Sequence, residues 1–345
     1  MKGENIKRIA IQVAKFAIMV FVVWYLFRQK YLTEKDIFDL FRTENIHFVL
    51  LAGFAYILTQ VLSALRFICL LRGLNFFIPL GKSFKLIIIG NFFNNLIPGN
   101  FGGDLIKGFH LIKIEQQDRW WSIGTIIMDR LFGILALCCI SGLSFFYLLD
   151  KNNQIIRNYL YELNITSIIA ASLFAGITLL FVMGKRSYCR SRTMELLRIV
   201  IKGDTFNAVA DGVKLINKKR DLLILLVFIS ILLHLVSLMG LLTLTSMVGN
   251  PHHDALAVFA VSSIVMLISI VPVTPGNIGW LELIAGIGWS LIGSAEGARI
   301  FAYWRIIAIL CSLPGGVLYL ISKTSSERVK NKNSLFSEKK YLDPK

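Results

Sequence analysis

Asp104, Asp129, Arg130, Glu282 and Arg305 are ionisable residues set inside otherwise apolar stretches. A charged side chain near a bilayer centre costs about 2.5–3.5 kcal/mol, so it needs a partner or a wet cavity. Two of the acids follow the same kind of break. Pro98-Gly99-Asn100-Phe101-Gly102 leads into Gly103-Asp104, and Pro275-Gly276-Asn277-Ile278-Gly279 leads into Trp280-Leu281-Glu282. Proline and glycine at these points interrupt an apolar helix. The next helical piece then begins with unpaired N–H groups, which attract anions such as phosphate. Gly99, Gly102 and Gly103 allow a headgroup to approach the backbone, and Asn91, Asn94, Asn95 and Asn100 add amide donors nearby. The alternative for the glycines is tight helix packing.

Arg130 and Arg305 are the expected partners of Asp104 and Glu282. These pairs serve either as structural locks or as substrate contacts, with arginine shared between acid and phosphate. Asp129 points to a different helix face from Arg130. Lys107 lies one turn after Asp104, as a phosphate contact or a surface lysine. Arg66, near Arg72, reads as snorkelling to headgroups in preference to a binding role. The candidate substrate-binding set is Arg66, Asn94, Pro98, Gly99, Asn100, Gly102, Gly103, Asp104, Lys107, Asp129, Arg130, Pro275, Gly276, Asn277, Gly279, Glu282 and Arg305. No catalytic residue, metal ligand or cofactor is assigned. His234 reads as a packing histidine, and His252-His253 lacks further ligands. The five cysteines have no metal spacing. No P-loop, dinucleotide fingerprint or nucleophile elbow occurs.

These residues must be positioned by membrane helices. Of the 345 residues, 55% are hydrophobic and 17% charged, with mean hydropathy +0.66. The fold class is an all-α polytopic membrane protein. Expected spans are Ile9–Phe27, Ile46–Leu71, Trp120–Leu149, Ile165–Met183, Leu222–Val248 and Ala298–Ile321. Ile9–Phe27 reads as a retained span, since no small-residue cleavage site follows it. Ser83–Ile114 and Ala255–Leu291 contain the breaks and read as hairpins, re-entrant or doubly spanning. The net charge of +16 collects beside the membrane segments, at the N-terminus, in residues 184–220 and in the tail. That is the pattern of cytoplasmic loops beside anionic lipid, not of nucleic-acid binding. With both termini cytoplasmic, each half has three full spans and one hairpin. The odd number inverts the second half relative to the first. The expected organisation is one membrane domain over residues 1–322, with halves at about 7–150 and 164–322. An amphipathic cytoplasmic region at 184–220 is inserted in the second half, and a disordered basic tail covers 323–345.

The chain resembles the lysylphosphatidylglycerol synthase transmembrane region, the flippase-like family, from about Lys7 to Ser322. The resemblance rests on Ala64-Leu65-Arg66, Asn94…Pro98…Gly102-Gly103-Asp104, Asp129-Arg130…Gly133, Pro272…Pro275-Gly276-Asn277-Ile278-Gly279…Glu282, Arg305 and Pro314-Gly315-Gly316. Two departures are Lys107, where the family often has arginine, and Asn277, where a second glycine is common. The resemblance implies an inner-membrane protein that moves a lipid headgroup between leaflets. The aminoacylating domain of some relatives is missing from this sequence, so synthase activity is not inferred. Stand-alone relatives suggest a glycolipid or polyprenyl-linked sugar as substrate class.

Three functions compete. The first is a lipid translocator for an anionic lipid or lipid-linked sugar. The second is a membrane-embedded glycosyl or phosphoryl transferase using Asp104, Asp129 or Glu282. The third is a scaffold for a peripheral glycosyltransferase docked at 184–220. The reading taken is the translocator, not an enzyme, with membrane lipids as partners.

Overall fold

The computed structural model describes residues 17, 20–21, 23–28, 33–96, 102–113, 118–150, 212, 215–216, 219–248, 254–271 and 273–341. Among them the chain is helical, with no strand. Residues 23–28 form the described end of the first apolar run. A short helix follows at Glu34–Asp39 (α1), then Ile46–Gly73 (α2), Leu80–Leu96 (α3), Gly102–Lys113 (α4) and Arg119–Asp150 (α5). The second half contributes Arg220–Thr245 (α6), Ala255–Ile268 (α7), Trp280–Ser290 (α8) and Gly297–Tyr341 (α9). The expected span Ile165–Met183 and most of the amphipathic region 184–220 lie outside the described residues. The helix α9 runs to Tyr341, into the basic segment that begins at residue 323.

Among the described residues four helices are long and apolar enough to cross a bilayer: Ile46–Gly73, Arg119–Ser144, Arg220–Val248 and Gly297–Ile321. Twenty-eight residues in α2 reach about 42 Å at 1.5 Å per residue, enough for hydrocarbon core and headgroups. Their outward faces carry large apolar side chains such as Phe54, Ile57, Phe228 and Leu320, which suits lipid and not water. The chain is a multi-pass membrane protein.

Local chemistry sets several ends. Asp118 Oδ1 accepts from the N–H groups of Trp120 and Trp121 at 2.9 and 3.2 Å, opening α5. Asp254 Oδ1 accepts from Leu256 N at 3.0 Å, opening α7. Both relieve orphan donors of a first helical turn.

The hairpin arms are shorter than the spans. The helices α3, α4, α7 and α8 have 17, 12, 14 and 11 residues, against the roughly 20 that cross a bilayer. The principal packing partners correspond between the halves under exchange of α2 with α6, α3 with α7, α4 with α8 and α5 with α9. The pair α3–α9 answers α7–α5, α4–α5 answers α8–α9, α2–α9 answers α6–α5, and α2–α5 answers α6–α9. The helices α2 and α6, each other's counterparts, pack against each other. The leading arm of each hairpin therefore rests on the last long helix of the other half. At one such crossing a Cβ on Gly315 of α9 would collide with the Ile88 carbonyl of α3. This is why the backbones can touch where Pro314-Gly315-Gly316 stands.

Candidate functional site

The second break is described in full apart from Pro272. The helix α7 ends at Ile268, and the chain turns through a single 3₁₀ turn, Pro275–Asn277. Gly276 and Gly279 have φ of 63° and 79°, a region that favours glycine. Asn277 also lies there, at 54°, as asparagine tolerates. Its side-chain N–H donates to Ser269 O at 2.6 Å, closing the loop on the end of α7. Arg305 of α9 reaches under this turn. Its Nη1 and Nη2 donate to Gly276 O and Asn277 O, each at 2.8 Å, while Nε pairs with Glu282. The other Glu282 oxygen accepts from Gly279 N at 2.8 Å. One carboxylate thus caps α8 and holds the guanidinium, and one guanidinium holds the loop.

At the first break, Pro98, Gly99 and Asn100 lie outside the described residues. The arms on either side are described. Gly103 N, at the start of α4, donates to Asn94 Oδ1 at 2.7 Å, bridging the interruption. A Cβ at Gly103 would collide with the Gly90 carbonyl of α3, so here the glycine is required by helix packing. Gly102 is buried beside it. Asn91 is hydrogen-bonded to Gln60 of α2. Asp104, in the first turn of α4, forms an ion pair with Arg130 of α5. The Arg130 side chain is 40% exposed, so the cluster opens outward at this point.

Behind that pair lies a deeper one. Arg66 of α2 donates through Nε to Asp129 Oδ1 at 2.9 Å and through Nη1 to Ser230 Oγ of α6 at 3.2 Å. Arg66 and Asp129 are 7% and 5% exposed. This corrects the snorkelling expected for Arg66: its side chain turns inward because Asp129, on a different face of α5 from Arg130, requires a buried cation. Gly133 makes room, since a Cβ there would come within 3.2 Å of Arg66 Nη1. His234 Nε2 lies 3.0 Å from Gly133 O, the packing role expected of it. Lys107 is likewise buried, and so is not a surface lysine. Its Nζ stands 4.0 Å from Asp104 Oδ1 and 3.9 Å from Asp129 Oδ2, over the Phe67 ring.

The structure therefore gathers Arg66, Asn94, Gly102, Gly103, Asp104, Lys107, Asp129 and Arg130 around the first hairpin, and Pro275, Gly276, Asn277, Gly279, Glu282 and Arg305 at the second. The 3₁₀ turn Pro275–Asn277 also packs on α3, which joins the two hairpins. Sequence reasoning missed Gly90 and Ser230, partners set by helix crossings. It also missed the ion pair of Asp36 with Arg299 at 2.9 Å, which ties α1 to the start of α9. Among the described residues no group of His, Cys, Asp or Glu could hold a metal ion.

A polytopic bundle with two helical hairpins, each tied to a long helix by an acid and an arginine, defines a class of helical membrane protein with ion pairs between its helices. Residues 12–315 match the family model of the lysylphosphatidylglycerol synthase TM region, and the chain belongs to that family. It is an integral membrane protein of lipid-related function. No curated protein and no solved structure matches it significantly.

Proposed function

We propose that this protein is an inner-membrane, flippase-like translocator that moves an anionic lipid or lipid-linked sugar headgroup between leaflets, with both termini cytoplasmic. The observation that carries the reading is the pair of broken-helix tips, each anchored by an acid–arginine pair, in halves whose packing partners correspond. The short arms support re-entrant hairpins. Three full spans and one such hairpin per half make the repeat inverted, so the tips enter from opposite faces. The headgroup passes through the polar cluster near the midplane while the acyl chains stay in lipid. Exposure alternates by rocking one half against the other. Transport fits the carboxylates better than catalysis does. Asp104, Asp129 and Glu282 are each paired with an arginine, whereas a general base needs its lone pair directed at substrate.

The test uses the purified full chain in proteoliposomes with headgroup-labelled lipids. Inner-leaflet label is expected to reach the outer leaflet faster than in empty vesicles. Arg130→Ala, compared at equal amounts of folded protein, should slow exchange by about tenfold or more, the loss of one charge-assisted contact, and Arg305→Ala should slow it by releasing the second tip. Wild-type vesicles no faster than empty ones would sink the proposal.

A further inference from the structure

The short helix α1 is two-sided, and one of its sides is packed on the protein. Asp36, 4% exposed, pairs with Arg299 of α9 and accepts from Thr33 N and Oγ1. Leu40 is fully buried and belongs to the same core as Leu244, Trp289 and Tyr303. The other side carries Phe38 and Phe41, which are 75% and 54% exposed. Lys35 and Arg42, also exposed, flank them. Two phenyl rings three positions apart are neighbours on a helical surface, and leaving both in water is unfavourable.

The place of α1 in the chain says what covers that side. The turn after it is closed by Asn45, whose side-chain N–H donates to Asp39 O at 2.7 Å and whose backbone N–H donates to Arg42 O at 2.9 Å. The helix is thereby held at the start of α2, where that span meets the bilayer surface. The exposed apolar side chains of α2 begin there, with Ile46, Leu50, Leu51 and Phe54. On the other flank, residues 23–28 end the first apolar run with exposed Trp24 and Phe27, and the Arg28 guanidinium lies 5.4 Å from the Trp24 ring centre. Aromatic rings beside cations are what a chain presents where hydrocarbon meets headgroups. Phe38 and Phe41 stand between these two lipid-facing surfaces.

We propose that α1 is an interfacial strap. Its Phe38–Phe41 side lies in the surface layer of the membrane, with the rings at the acyl boundary and Lys35 and Arg42 reaching toward the headgroups. Its Asp36–Leu40 side grips the second half of the chain through Arg299 and the core. The partner of the exposed side is a lipid surface, not a second copy and not a soluble protein. The strap rests on the membrane class of the chain and goes beyond the translocator reading, so it stands or falls without regard to transport.

The test places a nitroxide on Phe38→Cys and, separately, on Phe41→Cys in the full chain with its five native cysteines replaced by alanine. The protein is held in nanodiscs of phosphatidylcholine and phosphatidylglycerol, which leave both membrane faces open to reagents. Collisions with oxygen, which concentrates in hydrocarbon, should exceed those with a water-soluble nickel chelate at both positions and should place the labels about 5–10 Å below the phosphates. Nickel collisions dominating at either position would leave that side in water and overturn the proposal. Labels reached by neither reagent, the result of a protein contact, would overturn it as well. So would dipolar broadening between labels, the result of a second copy. Two double variants that keep the native cysteines decide the matter should the alanine background not fold. Phe38→Asp/Phe41→Asp, in the same nanodiscs, should speed hydrogen exchange over residues 34–39 by at least about tenfold, the loss of apolar burial for two rings. Phe38→Leu/Phe41→Leu should stay within about twofold of wild type, since leucine keeps most of that burial. Equal exchange in the aspartate and leucine variants overturns the proposal.

Discussion

Arg305→Ala removes one guanidinium that serves three acceptors. Without it the Glu282 side chain, 5% exposed, keeps its bond from Gly279 N but loses its only cation among the ion pairs described. Breaking a buried pair by deleting one partner costs about 3–5 kcal/mol, because an uncompensated charge stays behind. The carbonyls of Gly276 and Asn277 also lose their donors. Gly276 is partly exposed and can rehydrate, so the stranded carboxylate dominates the cost. The double variant Glu282→Gln/Arg305→Ala separates charge from packing. Its amide oxygen still accepts from Gly279 N, and no buried charge remains, so it should be more stable than Arg305→Ala alone by about 2 kcal/mol. The assay is unfolding of the full chain in mixed micelles titrated with dodecyl sulfate and followed by far-ultraviolet circular dichroism. Hydrogen exchange over residues 275–279 provides a local readout. A cost for Arg305→Ala below about 1 kcal/mol, the size of an exposed pair, would refute the reasoning. So would a double variant as unstable as the sum of the two singles.

Two further outcomes follow from the packing. Gly103→Ala must push α4 off the Gly90 carbonyl and should cost about 1–3 kcal/mol, read in the same unfolding assay, whereas Gly142→Ala, with open space around it, should cost less than about 1 kcal/mol. Asp36→Asn breaks the pair with Arg299 and weakens the Thr33 cap, where Thr33 N and Oγ1 both donate to Asp36 Oδ2 at 2.7 Å. Hydrogen exchange should rise over residues 34–39, consistent with loss of a cap worth about 1 kcal/mol, and stay unchanged in α2 and α6.

The membrane class, the four described long spans, the break at Pro275–Asn277 and the pairs Asp104–Arg130 and Glu282–Arg305 are legible in the amino-acid order. Each follows from a local rule: hydrocarbon needs a run of apolar residues, proline and glycine interrupt it, and a charge inside it demands a nearby opposite charge. Partners set by helix crossing were not legible. Arg66 and Asp129 stand 63 positions apart, and the inward turn of Arg66 depends on α2 lying against α5 and α6. Gly103 looks like a site for a ligand until Gly90 is found filling the space. Lys107 reads equally well as a surface residue until α4 is seen laid into the bundle. Sequence thus determined which residues had to leave the hydrocarbon or find a partner within it, because that requirement is set by transfer free energy and is local. Only the tertiary structure decided which partner each one found, because the choice depends on which helix faces meet, and that is settled by packing between segments far apart in the chain.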